Sequence, residues 1–240
     1  MTFLDYFEIF GYFFVLIASI FSMIASFNVN STFKKYSRQL SCRGITGAEA
    51  ARRVLASGGA SGVRIARTQG NLTDHFNPKD NTIYLSDAVY DATSTAAIGV
   101  AAHEAGHALQ HAVGYLPIRI RSAIVPVTNI GSRISMPLIL IGLLLSFYAG
   151  FEGGYQLALL GVLFFSLSVI FQLVTLPTEF NASARALAAI RDEGILDAAE
   201  MRGARKTLTA AAMTYVAALA VSLLQFLRLL AIVTGGRRRD

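Results

Sequence analysis

The stretch "VAAHEAGHALQH", residues 100–111, contains His103, Glu104 and His107 in the order H-E-x-x-H. Residues four apart lie on one face of an α-helix, so both imidazoles can bind one metal ion with Glu104 beside it. This pattern is typical of a zinc site that hydrolyses peptide bonds. The alternative is an apolar helix whose histidines only hydrogen-bond within a core. Three of the four histidines of the chain lie on this helix, which favours the metal.

The helix that carries the motif is predicted from about Ser94 to Val113, with Thr93 or Ser94 as its N-cap. Its third histidine, His111, lies one turn beyond His107. Three ligands on consecutive turns would extend over about 12 Å, too far for bonds of about 2.0 Å to one ion. We therefore expect His111 at the surface or beside a ligand, and a third ligand from elsewhere in the chain.

The composition predicts a membrane protein. The 240 residues are 54% hydrophobic and 15% charged, and the mean hydropathy is +0.51. We predict one membrane-embedded domain over residues 1–240. An uncleaved anchor at the N-terminus is favoured over a signal peptide, because acidic Asp5 and Glu8 stand where a signal peptide has basic residues. The predicted spans are residues 8–29, 134–150, 155–176 and 209–230.

The polar segment after the first span should fold in water. Thr46 and Glu49 have capping-box spacing at the start of a short helix. Two alternating segments, "GVRIART" and "NTIYLS", predict a small hairpin or sheet edge. Residues 115–135 are apolar but contain prolines and three arginines, which predicts an interfacial segment rather than a span.

Basic residues between the spans predict the orientation of the chain. Residues 30–133 contain twelve Lys and Arg and residues 177–208 contain five, whereas the "GFEGG" link contains none. The positive-inside rule therefore places both basic segments in the cytoplasm. The "GGRRRD" tail falls on the opposite side.

Charge and cysteine content exclude some functions. The net charge of +6 is not concentrated on a recognisable nucleic-acid fold, so the lipid bilayer is the expected partner and nucleic acid is not. The single cysteine, Cys42, excludes an intrachain disulfide and fits a reducing compartment.

A third zinc ligand is expected in "LPTEFNASARA", residues 176–186. Pro177 can end or reset the helix after the third span, so that Glu179 lies at the membrane surface on the cytoplasmic side. Asn181 or Ser183 could hydrogen-bond a ligand histidine and fix its tautomer.

The chain resembles the YugP-type neutral zinc metallopeptidases of bacterial membranes. The resemblance implies Zn²⁺ as cofactor, His103, His107 and Glu179 as its ligands as in gluzincins, and Glu104 as the catalytic acid and base. One departure is "DHFNP", where the family pattern reads D-H-Y-D-P and this chain has Asn77. The matching segments are "TGAEAARRVL", "LTDHFNPKDNTIYLS", "VAAHEAGHALQ", "YLPIRIRSAIVPVTNIGS" and "FQLVTLPTEFNASARAL".

The organisation is also similar to that of HtpX-like membrane proteases, in which a strand precedes the zinc helix. In zincins that strand commonly pairs with an extended substrate, which implies Ile83, Tyr84 and Leu85 as a substrate-binding strand here. Neither resemblance identifies the substrate beyond a peptide or a membrane protein, and both leave an oligomer or an accessory membrane protein open as a partner.

These observations predict a mainly α membrane protein (α+β) with about four transmembrane helices and a small zincin-like cytoplasmic unit. We expect a multi-pass zinc endopeptidase of the bacterial inner membrane with its active site facing the cytoplasm. Two alternatives stay open: an intramembrane protease, and a non-catalytic membrane scaffold or partner subunit with a structural zinc site.

Overall fold

The computed structural model describes residues 3–151 and 153–236. Of the "GGRRRD" tail, residues 237–240 lie outside the described residues. The elements are α1 (Phe3–Tyr36), α2 (Gly47–Ser57), β1 (Arg64–Thr68), β2 (His75–Asn77), β3 (Thr82–Ser86), α3 (Thr95–Ala112), α4 (Leu116–Ala149), α5 (Gly153–Asp192) and α6 (Met201–Gly236). The chain is mainly helical with one small sheet, which confirms the predicted fold class.

The chain divides into two compact units. The first, here called the membrane unit, consists of residues 1–24, 120–175 and 215–240, and the second, the site unit, consists of residues 25–119 and 176–214. The boundary falls within α1, α4, α5 and α6, so each of these helices contributes residues to both units. The single domain over residues 1–240 stays a prediction, since such units need not fold independently.

Four helices of the described chain are long and apolar enough to cross a membrane: α1, α4, α5 and α6. Only 17–22% of the residues in their most apolar windows are buried inside the protein. Because so much apolar surface faces outward, lipid is the environment that fits these helices. Three of the four predicted spans lie within one of these longer helices, and the span predicted at residues 134–150 ends one residue beyond α4.

Residues 115–135, predicted as an interfacial segment, are continuous with the second predicted span, and their place at the interface stays a prediction. Residues 116–149 form one helix, α4, which contains Pro126 and Pro137. Within the membrane unit, small residues bring α4 and α5 close together. A Cβ atom at Gly142 would lie 2.4 Å from the backbone nitrogen of Ala158. Close packing of this kind is the usual way for helices to associate in lipid.

The site unit contains the sheet and helices α2 and α3. The hydroxyl of Thr46 accepts a hydrogen bond from the backbone N–H of Glu49, as the capping-box spacing predicted. Buried residues of α2, β3 and α3 form one hydrophobic core, with alanines filling most of the α3 positions. Because alanine side chains are small, the neighbouring elements pack closely against α3.

Of the two predictions for "GVRIART" and "NTIYLS", the hairpin is wrong, but both segments are strands and the first, β1, forms one edge of the sheet. β1 and β3 pair in parallel, and the short strand β2 pairs antiparallel with the other edge of β3. The strand order is β1-β3-β2. β3 is therefore the central strand, because it pairs with β1 on one side and with β2 on the other.

The helix that contains Glu179 also differs from the prediction. Pro177 does not end or reset it, because α5 continues from Gly153 to Asp192 with Pro177 in its interior. Proline lacks the N–H that would bond the carbonyl four residues earlier, but a long helix tolerates one such loss where neighbouring groups compensate. Glu179, Asn181 and Ser183 are therefore held on a continuous helix.

Candidate metal centre

Helix α3 begins directly after Ser94, its N-cap residue, whose backbone is extended. The Ser94 hydroxyl accepts a hydrogen bond from the backbone N–H of Ala97 at 3.2 Å, and the helix ends at Ala112. Gly106, between Glu104 and His107, faces α5. A Cβ atom there would lie 2.6 Å from the carbonyl oxygen of Ala182. Glycine at this position therefore permits α3 and α5 to approach closely enough for their polar side chains to meet.

The structure brings His103, His107 and Glu179 together. The distance from His103 Nε2 to Glu179 Oε2 is 3.2 Å, and that from His107 Nε2 to the same oxygen is 3.5 Å. One potential ligand atom from each residue lies within 4.8 Å of the others. The Glu179 side chain is 2% exposed. Two residues of one helix and one of another thus face a common point inside the protein.

The other nitrogen of each imidazole has a side-chain partner. His103 Nδ1 lies 3.1 Å from Ser183 Oγ, and His107 Nδ1 lies 3.0 Å from Gln110 Oε1. Ser183 therefore has the kind of contact predicted for it. Asn181 instead accepts a hydrogen bond from Gln110 Nε2 at 3.0 Å.

Gln110 is the residue that the sequence reasoning missed. It is fully buried and lies three residues after His107, where a helix brings side chains close together. A polar amide among the buried alanines of α3 is the signal that could have identified it.

This donor set fits a zinc ion. Both Nδ1 atoms have partners on the side away from Glu179, so both Nε2 atoms face the carboxylate. The Nε2 lone pair of a neutral imidazole and a carboxylate oxygen repel each other unless a positive charge lies between them. Two imidazoles and one carboxylate are an established ligand set for catalytic zinc, with Zn–N and Zn–O distances of about 2.0–2.2 Å.

Carboxylates dominate the electrostatics of His107. Burial lowers the pKa of this imidazole, but its hydrogen bond to Glu179 and the negative charges of Glu104 and Glu179 outweigh burial, so that its pKa is raised. Glu104 itself is 8% exposed. The two carboxylates therefore make this pocket favourable for a cation.

The two other histidines lie outside this cluster. The His111 ring contacts Phe76 of β2, with 5.4 Å between ring centroids, and borders a cavity of about 320 Å³. His75 stacks on Tyr84 at 5.0 Å, and its Nδ1 lies 2.9 Å from the carbonyl oxygen of Thr73. Asn77 accepts a hydrogen bond from the backbone N–H of Lys79 in the turn that follows β2.

Of the predicted substrate-binding strand Ile83, Tyr84 and Leu85, the first two residues do not fit that role in the sheet. β1 pairs with β3 along its whole length, and β2 pairs with Thr82, Ile83 and Tyr84 from the other side. Ile83 and Tyr84 are thus paired on both sides and leave no open edge for a substrate strand, whereas the role predicted for Leu85, which β2 does not pair with, stays a prediction. The edge strand nearest α3 in sequence is β2, residues 75–77.

Comparisons with known proteins agree on one family. Residues 11–234 match the model of a family described as "putative neutral zinc metallopeptidase". The chain is 45% identical over 216 residues to the "putative membrane protease YugP" of Bacillus subtilis (strain 168), covering 90% of this chain and 93% of that protein. No solved structure matches the chain.

The chain belongs to this family of neutral zinc metallopeptidases. The resemblance found in the sequence is thereby confirmed. By homology the protein is a membrane protease, and zinc is the metal that the family implies.

Proposed function

We propose that this protein is a membrane-anchored zinc endopeptidase of the gluzincin type. His103, His107 and Glu179 would hold the zinc ion. The observation that carries the proposal is the convergence of these three side chains, whose potential ligand atoms lie within 4.8 Å of one another although Glu179 is 72 residues beyond His107 in sequence. The H-E-x-x-H motif by itself provides only two of the three protein ligands that catalytic zinc sites use.

Glu104 is the proposed general base and acid. A bound zinc ion supplies a Lewis acid that polarises the substrate carbonyl and lowers the pKa of water to about 7. The Glu104 carboxylate accepts a proton from the attacking water and delivers it to the leaving amine nitrogen, so one proton moves from water to amine and the peptide bond breaks. Its low exposure of 8% keeps bulk water from competing for this proton.

The substrate is proposed to be an extended peptide segment, from a soluble or a membrane protein. β2 is an edge strand beside α3, and its Phe76 contacts His111 of that helix. An edge strand can hold an extended chain through main-chain hydrogen bonds that tolerate many side chains. This role replaces the one expected for Ile83 and Tyr84, which are paired on both sides.

The proposed location is the cytoplasmic surface of the bacterial inner membrane. Residues 30–133 and 177–208 supply the ligands and contain most of the basic residues, and the positive-inside rule assigns both segments to the cytoplasm. Reporter fusions at Gly70 and Gly194 should both report the cytoplasm. Fusions that report opposite sides would refute this topology together with Glu179 as a ligand.

The experiment that tests the activity combines metal analysis with digestion of a peptide library. Glu104→Gln should retain zinc and lose cleavage by at least about a hundredfold, because a general base typically contributes 10²–10⁴-fold. Loss of zinc in this variant would contradict the role given to Glu104. Cleavage by the wild type that survives chelation would contradict a zinc mechanism.

A non-catalytic scaffold with a structural zinc site is the competing function. It predicts zinc in both proteins and no cleavage by either. An intramembrane protease would instead cut within the apolar part of a substrate, so cleavage sites mapped on a membrane-protein substrate separate it from a protease acting at the membrane surface.

A further inference from the structure

Gln110 has a hydrogen-bond partner for its amide oxygen and two acceptors for its amide nitrogen. The side chain is fully buried. Its Oε1 lies 3.0 Å from His107 Nδ1, and its Nε2 donates to the carbonyl oxygen of Thr178 at 2.8 Å and to Asn181 Oδ1 at 3.0 Å. The first contact holds a proposed metal ligand of the same helix, and the other two join α3 to the helix that supplies Glu179.

The chemistry of these partners permits only one orientation of the Gln110 amide. The carbonyl oxygen of Thr178 can only accept a hydrogen bond, so the NH₂ group must face it. Asn181 is oriented in the same way, because its Oδ1 accepts from Arg185 Nε at 2.8 Å and a guanidinium can only donate. The Gln110 oxygen is thereby directed at His107.

We infer that Gln110 is a positioning residue that fixes His107 in the tautomer required for zinc binding. Because Oε1 can only accept, His107 Nδ1 must carry the hydrogen. The Nε2 atom, 3.5 Å from Glu179, then keeps its lone pair for the metal. The inference rests on the proposed zinc site, and it concerns binding of the metal rather than the chemistry of cleavage.

The two ligand histidines are held differently. The partner of His103 Nδ1 is the hydroxyl of Ser183, which can rotate and either donate or accept. His107 Nδ1 instead faces the Oε1 atom of Gln110, whose orientation is fixed by Thr178 and Asn181. Zinc binding should therefore depend more on Gln110 than on Ser183.

The first test measures zinc affinity by chelator competition on the full-length protein in detergent. Gln110→Met keeps the length of the side chain and removes its hydrogen bonds. We expect zinc affinity to fall about 10–100-fold, the usual effect of losing a partner of a metal-bound histidine. Thr207→Val, which removes a buried hydroxyl bonded to the carbonyl of Gly203, is the control and should bind zinc as the wild type does.

A double-mutant cycle tests the route of the effect. Asn181→Leu should weaken zinc binding in the wild type but add little in the Gln110→Met background, because Asn181 acts through the amide of Gln110. Independent losses in the two variants would contradict this route. Zinc affinity of Gln110→Met within threefold of the wild type would overturn the inference.

A measurement on the wild type decides the matter even if Gln110→Met fails to fold. Nitrogen-15 NMR of histidine-labelled, zinc-loaded protein should show His107 with a proton on Nδ1 that exchanges slowly with solvent. A His107 without that proton, or bound to zinc through Nδ1, would overturn the inference. Absence of zinc from the wild type would instead refute the proposed site itself.

Discussion

Two clusters in the site unit bring three potential metal ligands together, and they differ in what their carboxylates contact. The first is His103, His107 and Glu179, and the second is Cys42, Asp197 and Glu200. In the first, the carboxylate faces two imidazole nitrogens. In the second, the Glu200 carboxylate accepts the backbone N–H of Cys42 at 2.6 Å and that of Asp197 at 2.9 Å.

The difference shows that proximity alone does not define a metal site. Two N–H donors already compensate the charge of Glu200, so no cation is needed there. In the first cluster the Glu179 carboxylate has two imidazole nitrogens as partners, a set that a zinc ion can bridge. We expect zinc in the first cluster and a loop-stabilising role for Glu200 in the second.

The largest expected effect is the difference in zinc binding between substitutions of Glu179 and of Glu200. Glu179→Ala should lose zinc affinity by about a hundredfold or more, since even the loss of a ligand's hydrogen-bond partner costs about 10–100-fold. Glu200→Ala should retain full zinc stoichiometry and melt at a lower temperature. Zinc content and melting temperature of the two purified variants make this comparison.

His111→Ala belongs in the same experiment as a control for Glu179→Ala. His111 contacts Phe76 rather than the cluster, so this variant should bind zinc as the wild type does. Equal zinc retention in Glu179→Ala and His111→Ala would show that Glu179 is not the third ligand.

A smaller loss is expected from Gly106→Ala. The added Cβ would lie 2.6 Å from the carbonyl of Ala182, so α3 and α5 must move apart and the distance between Glu179 and the histidines must grow. We expect zinc affinity to fall about tenfold, comparable to the loss of one hydrogen-bond partner of a ligand. Gly62→Ala is the matched control, because a Cβ there meets no atom within 4 Å. Wild-type affinity in both variants would contradict the close-approach argument.

The second cluster predicts a slow-reacting thiol. Hydrogen bonding to Glu200 and the charge of that carboxylate raise the pKa of Cys42, although the residue is exposed. Alkylation by iodoacetamide should therefore require a higher pH than alkylation of a free cysteine, because the thiolate is the nucleophile. In Glu200→Gln the midpoint of the rate against pH should fall. An unchanged midpoint would refute the interaction between the two side chains.

The smallest expected effect is on stability in acid. Burial raises the pKa of Glu200, but the backbone N–H groups of Asp197 and Cys42 lower it more, and the net shift is downward. The charged form therefore stabilises the folded state above the unfolded pKa of about 4.3, and this contribution is lost as pH falls through the folded value. The difference in melting temperature between wild type and Glu200→Gln should shrink from about pH 6 to about pH 3. A constant difference would contradict this assignment.

The sequence by itself determined the elements with strong local signals. Four apolar stretches predicted the membrane helices, and Thr93 or Ser94 as N-cap with the H-E-x-x-H spacing predicted helix α3 and the two imidazoles on one face. These features depend on the periodicity and hydrophobicity of neighbouring residues, which a chain carries wherever it folds. The family resemblance followed from the order of several such segments.

Tertiary structure alone decided which distant groups meet. The parallel pairing of β1 with β3, the unbroken course of α5 through Pro177, and the contact of Gln110 with Thr178 and Asn181 all depend on packing between segments far apart in sequence. Local propensity carries no information about such pairings, because each is selected by the burial and hydrogen bonding of the whole unit. Glu179 could be proposed from its position after a span, but only the approach of α5 to α3 at Gly106 brings its carboxylate to the two histidines.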